Sequence, residues 1–192
     1  MTRIAPAAPI SPAELSSLSQ FEQVGRLGGA VWAHRPEVSA AMAGVRSALR
    51  ESGTLPPRLV ELIRLRIAFH NQCRSCMAVR YAPEDVDEST VCSLERPQEA
   101  PDLSEAERAA LAFADLYATN HLAIDEAVFE RLRRHFDEGE LLELSIHCAI
   151  DVGFGRMAAT WHNVEALPAS FQKDQGEAVT PWGHGEVLVR PR

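Results

Sequence analysis

From Pro57 to about His70 the apolar residues Leu59, Leu62, Ile63, Ile67 and Ala68 recur at three- and four-residue spacing, and the chain then presents Cys73-Arg-Ser-Cys76. That spacing is the period of a helix burying one face. A longer apolar helix is expected from about Glu138 to Asn163, carrying Leu141, Leu144, Ile150, Phe154, Met157 and Trp161. No stretch shows the alternation of a half-buried strand, so the expected fold class is all-α, a single-domain helical bundle. The chain of 192 residues is long enough to bury one core without disulfides or metals. Its low aromatic content, 6%, favours tightly packed helices.

The Pro- and Ala-rich residues 1–12 read as a loosely ordered N-terminus, 13–166 as the helical domain, and 167–192 as an extended tail. Pro12 to Arg50 is helical in pattern, with breaks expected at Gly28–Gly29 and at Pro36, which suits a first helical position. Asn71-Gln72 should end or bend the next helix, and a helix from Cys73 to Tyr81 should follow. Ser104 with Glu107 three residues on has the form of a capping box, and Asp125 is placed to cap another helix. Gly153 and Gly155 weaken the long helix, so a close approach by another backbone is expected there, across a subunit contact. The tail holds Pro168 and Pro181 and has no helical period; it is expected to stay mobile or to pack on a neighbouring subunit.

A net charge of −8 argues against a nucleic-acid surface. The small basic run Arg131, Arg133 and Arg134 is flanked by Glu130, Asp137 and Glu138, and reads as a solvated helix face. No window is apolar for long enough to span a membrane, and residues 1–10 lack the apolar core of a secretory signal. The expected compartment is therefore cytoplasmic, where thiols are kept reduced and a Cys-x-x-Cys pair is more often catalytic or metal-binding than structural.

Two cysteines three apart on a helix share a face, so Cys73 and Cys76 are placed to cycle between dithiol and disulfide. Arg74 and Arg80 are expected to favour their thiolates. A zinc site would want a second close pair, whereas Cys92 and Cys148 stand alone. No metal is expected, and the missing phosphate loop and nucleophile elbow leave no nucleotide cofactor or serine-hydrolase chemistry. A thioredoxin-type fold is disfavoured because nothing alternates strands with helices. Glu61 reads either as a buried acid of raised pKa beside the thiols, fit to accept a proton, or as a surface acid paired with Arg64 or Arg58. Asp151, between Ile150 and Val152, is either a buried acid near the site or part of a surface turn.

The pattern Pro57-x-x-x-Glu61-Leu-Ile-x-Leu-Arg66-Ile-Ala followed by Cys73-x-x-Cys76 resembles the carboxymuconolactone decarboxylase and alkylhydroperoxidase D superfamily. The flanks Ala33-His-Arg-Pro-Glu37, Leu103-Ser-Glu-Ala-Glu-Arg-Ala-Ala and Glu140-Leu-Leu-Glu-Leu agree with it in kind and order. The resemblance implies an all-helical fold assembled as a trimer or hexamer. It also implies reduction of hydroperoxides without a cofactor, with an external dithiol as reductant. On that pattern Glu61 is the proton-relay acid, Cys76 attacks the peroxide and Cys73 resolves, whereas helix position alone points to Cys73 as the activated thiol. The relay histidine of the pattern falls on Arg80, which stays protonated and cannot act as a base. Substitutes to consider are His70, His147, His162 and the Tyr81 hydroxyl. Two other functions stand beside the peroxidase: a lactone decarboxylase, which would not need the cysteine pair, and a non-enzymatic helical oligomer or redox sensor.

Overall fold

The computed structural model describes residues 2–174 and 176–191; Met1, Gln175 and Arg192, which fall in the expected terminal segments, lie outside the described residues. The helices are α1 (Pro12–Ser16), α2 (Gln20–Trp32), α3 (Pro36–Ser52), α4 (Pro57–Asn71), α5 (Arg74–Ala78), α6 (Glu88–Ser93), α7 (Glu105–Thr119), α8 (Glu126–Leu132) and α9 (Glu138–Trp161). Two-residue strands β1 (Val79–Arg80) and β2 (Leu188–Val189) pair in parallel, Val79 with Leu188 and Arg80 with Val189. The fold is thus the expected all-α single domain with one short bridge. No helix among the described residues is long and apolar enough to cross a membrane.

Local chemistry sets most helix starts. Pro36 and Pro57 open α3 and α4 at positions where a missing N–H costs nothing. Ser104 and Glu107 form the expected reciprocal box on α7, Asp137 and Glu140 form another on α9, and Asp125 caps α8 through Val128 N. Gln72 ends α4 in the left-handed region, with φ of 51°. Its side chain fixes the reversal by donating to the carbonyls of Phe69 and Val179.

At the centre lies α4, packed on α7, α9 and α5. Leu62, Ile63, Leu65 and Ile67 are wholly buried, and each stabilises the fold by roughly 1.5–3 kcal/mol relative to exposure. Burial therefore runs around most of α4, beyond the single face its spacing indicates. Alanines at 109, 110 and 114 of α7 let that helix approach α4 closely, and Leu141, Leu144 and Cys148 of α9 close the cluster.

Four sequence expectations need correction. First, α2 runs through Gly28–Gly29 without a break; Trp32 at its end packs on Phe154 and Trp161, and that contact outweighs the glycine penalty. Second, the helix after Cys73 stops at Ala78, so Arg80 and Tyr81 leave it for β1 and the following turn. Third, the described part of the tail packs on the chain's own domain. Leu167, Phe171, Val179 and Leu188 join Ala68, Met77, Ala78 and Val79 in a second apolar cluster on the chain's own domain. Fourth, Gly155 is approached within the chain, by Asn71 of α4 whose amide a Cβ would strike, while Gly153 faces open space. The N-terminal residues 2–11 form no regular element, yet Arg3 N donates to Trp161 O and Ala7 N to Ala30 O.

Candidate functional site

Cys73 is the N-cap of α5 and Cys76 lies one turn on; the two are joined as a disulfide with a Cα–Cα distance of 5.2 Å. Their exposure differs. Cys73 is 0% exposed, whereas Cys76 borders a cavity of about 200 Å³ and is partly open to it. Its lining combines the apolar Trp32, Phe154, Met157 and Trp161 with the polar Arg46, Arg64, Asn71, Ser75, Tyr81 and Asp151. The remaining cysteines stand apart: Cys148 is sealed in the core, where burial raises its thiol, and Cys92 is exposed.

The cations expected beside the thiols face elsewhere. Arg74 spans Gln72 Oε1 and the carbonyls of Asp174 and Glu177. Arg80, 1% exposed, donates to both carboxylate oxygens of Glu88 and to the carbonyls of Met77, Val79 and Pro181. Both arginines therefore tie the tail to the segment carrying the cysteines. The reason is positional: once α5 ends at Ala78, residue 80 no longer lies one helical turn beyond Cys76. The cations that line the cavity are Arg46 and Arg64, and it is Arg64, which sequence reading gave only as a surface partner of Glu61, that reaches the segment carrying the cysteines. Arg64 Nη1 donates to Cys76 O at 2.7 Å, its Nη2 to Val79 O at 2.7 Å, and its guanidinium lies 4.8 Å from the Tyr81 ring centre.

Glu61 is 3% exposed and is held by three N–H groups: Arg64 Nε and Nη2, each at 2.8 Å, and Tyr81 N at 2.9 Å. Burial pushes its carboxyl up, but the Arg64 fork, the Tyr81 N–H and the charge of Arg80 together outweigh burial and hold it below the ordinary value. The expected raised pKa is corrected on that ground: Glu61 is both buried and paired with Arg64. Tyr81 keeps an exposed ring, edge-on to Phe21, at the border of the cavity.

None of the candidate histidines reaches the cavity lining. His70 Nε2 meets Asp115 Oδ1 at 2.7 Å, sharing that carboxylate with Arg66. His147 sits 3.7 Å from Glu143, and burial lowers its pKa. His162 caps α9 in the left-handed region. The acid that does border the cavity is Asp151 of α9. Burial raises its carboxyl to about 6, and the charges of Arg64 and Arg46 only partly oppose this. Asn71 holds this part of α9 against α4: its Nδ2 donates to Asp151 O and its Oδ1 accepts from Arg156 Nε. An acid flanked by apolar residues on an apolar helix was the available signal for Asp151. Nothing in the sequence located it on the cavity that Cys76 borders.

Residues 36–116 match the model of the carboxymuconolactone decarboxylase family. Two uncharacterized proteins of Mycobacterium tuberculosis, from strains CDC 1551 / Oshkosh and ATCC 25618 / H37Rv, are each 32% identical over 131 residues. The match covers 65% of this chain and 45% of either relative, so the chain spans less than half the length of the curated relatives it matches. Among solved structures, the alkylhydroperoxidase AhpD core of an uncharacterized peroxidase-related protein from Ralstonia eutropha JMP134 shares the fold. It has a TM-score of 0.60 and 23% identity, over 87% of this chain and 94% of that one. A protein of unknown function from Agrobacterium tumefaciens aligns with the same TM-score, 0.60, at 24% identity, over 69% of this chain and 92% of its own.

Proposed function

We propose, on the premise that residues 36–116 place this chain in the carboxymuconolactone decarboxylase family, that it is a thiol-dependent oxidoreductase reducing hydroperoxides through a Cys73/Cys76 dithiol–disulfide cycle. The observation carrying this reading is the unequal exposure of two bonded cysteines: Cys76 opens onto the cavity and Cys73 is sealed behind it. That arrangement suits Cys76 as the attacking thiol and Cys73 as the resolving one. Glu61 acts in this scheme as a positioning residue. Its carboxylate holds Arg64, and Arg64 grips the carbonyls of Cys76 and Val79. The reaction needs no cofactor; its partners are a hydroperoxide and an external dithiol.

The test is to expose the reduced protein to one equivalent of cumene hydroperoxide and map its thiols by differential alkylation and mass spectrometry. A rapid Cys73–Cys76 disulfide, blocked in Cys76→Ser, is expected; thiols that stay reduced refute the reading. Arg80 favours one other reading, a disulfide switch without turnover, because it occupies the relay-base position and is spent on the tail. Repeated turnover with dithiothreitol as reductant separates the two. Lactone decarboxylation surviving in a Cys73→Ser/Cys76→Ser double variant would displace both.

A further inference from the structure

Among the described residues, the carboxyl oxygens of Asp151 take no hydrogen bond and no ion pair, and the residue borders the cavity onto which Cys76 opens. The charged and titratable groups around it come from four directions. The charges of Arg46 from α3 and of Arg64 and Glu61 from α4 act on it, Cys148 lies one turn back on α9, and Cys76 of α5 lines the same cavity. Several other proton carriers are committed elsewhere. Glu61 is saturated by three N–H donors. His70 and His147 are paired away from the cavity, and Arg80 is taken up by Glu88 and the Pro181 carbonyl.

We propose that Asp151 carries the proton when Cys76 reduces a hydroperoxide, a role that rests on the thiol-peroxidase reading above. In the reduced protein the Cys76 thiol gives its proton to the Asp151 carboxylate. The thiolate then attacks the terminal oxygen of the hydroperoxide; the S–O bond forms as the O–O bond breaks. Asp151 returns the proton to the departing alkoxide, giving an alcohol and a Cys76 sulfenic acid. Cys73 attacks Cys76 Sγ, and its own proton leaves with the sulfenic hydroxyl as water. Two thiols are oxidised to a disulfide, and the hydroperoxide is reduced to alcohol and water. An external dithiol resets the pair. Burial at this position suits the task, because a carboxyl raised to about 6 exchanges protons close to neutral pH.

The test compares the wild type with Asp151→Asn and Asp151→Glu, using two probes of Cys76 in the reduced protein. Iodoacetamide consumes a thiolate and needs no proton returned, whereas cumene hydroperoxide needs one. Asp151→Asn is expected to slow oxidation by cumene hydroperoxide by roughly 10²-fold, the low end for a lost acid–base group. It should slow alkylation of Cys76 by much less, since alkylation needs the thiol proton taken but not returned, and Asp151→Glu should recover part of the oxidation rate. The wild-type alkylation profile should also carry an inflection near pH 6 that Asp151→Asn lacks. Oxidation at the wild-type rate in Asp151→Asn overturns the proposal. So does a parallel fall in both probes, which would mark a structural role. Should cumene hydroperoxide leave the wild type reduced, the peroxidase reading falls by itself. The alkylation profile then still decides whether Asp151 exchanges protons with Cys76, and a missing inflection overturns it.

Discussion

Replacing Glu61 by Ala removes the acceptor for Arg64 Nε, Arg64 Nη2 and Tyr81 N in one step. Glu61 and Arg64 are 3% and 13% exposed at their side chains, so the surviving guanidinium remains buried without its counter-charge. Breaking a buried pair from one side costs about 3–5 kcal/mol. A chain of this size loses ~2–4 °C of Tm per kcal/mol, so the expected fall is roughly 6–20 °C. Glu105→Ala is the control. It removes a carboxylate from an Arg108 pair of the same i,i+3 spacing, but Glu105 is 68% exposed, and its Tm should barely move. A Glu61→Ala/Arg64→Met double variant should recover part of the loss, because no unpaired charge is then left behind. The assay is thermal and urea unfolding followed by circular dichroism above pH 6. The pH dependence has a definite sign. Glu61 is held below its ordinary value of 4.5, so its contribution is fully present above that value and is lost as pH falls through the lower folded value. The wild-type advantage over Glu61→Ala should therefore shrink only in acid. Equal stability of Glu61→Ala and Glu105→Ala at neutral pH would refute the reasoning, since it would mean that the Glu61–Arg64 pair contributes no more than a surface contact.

Three further predictions follow from the packing. Asp151 has the opposite sign to Glu61: its carboxyl is raised from 3.8 to about 6, so folding favours the protonated form and stability declines as pH rises between those values. Asp151→Asn should be more stable than wild type at pH 7, by at most about 3 kcal/mol, with the gain vanishing below pH 4 in urea titrations; no gain at pH 7 would contradict the burial argument. Gly155→Ala should lose roughly 1–3 kcal/mol, because its methyl meets the Asn71 amide, while Gly153→Ala, facing open space, should gain up to ~1 kcal/mol; urea midpoints that move together would refute this. Arg80→Ala should free the tail from Glu88 and Pro181, raising proteolytic cleavage beyond Leu167 by about tenfold or more, the factor that 1.4 kcal/mol of lost local stability produces; unchanged cleavage would show that Arg74 and Gln72 suffice.

Sequence alone determined the features that depend on neighbours within a few positions. The apolar period of α4 and α9, the box at Ser104, the cap at Asp125, and Pro36 and Pro57 at helix starts act over one or two turns. The three-residue spacing of Cys73 and Cys76 suits a local disulfide for the same reason. The site around that pair was only partly legible. A helical pattern through Arg80 and Tyr81 gave no sign that α5 would stop at Ala78; β1 pairs there with β2, whose residues lie more than a hundred positions away in the chain. The same long-range packing turned Arg80 toward Glu88 and Pro181 and drew the tail into a second core. Tertiary structure alone decided which acid is paired and which is not. Glu61 and Asp151 both sit among apolar neighbours in sequence, and burial raises either carboxyl. Glu61 meets an arginine fork and a backbone N–H that offset burial, whereas Asp151 meets only more distant charges. A carboxyl's charge depends on the groups that face it in space, and those come from elements far apart along the chain.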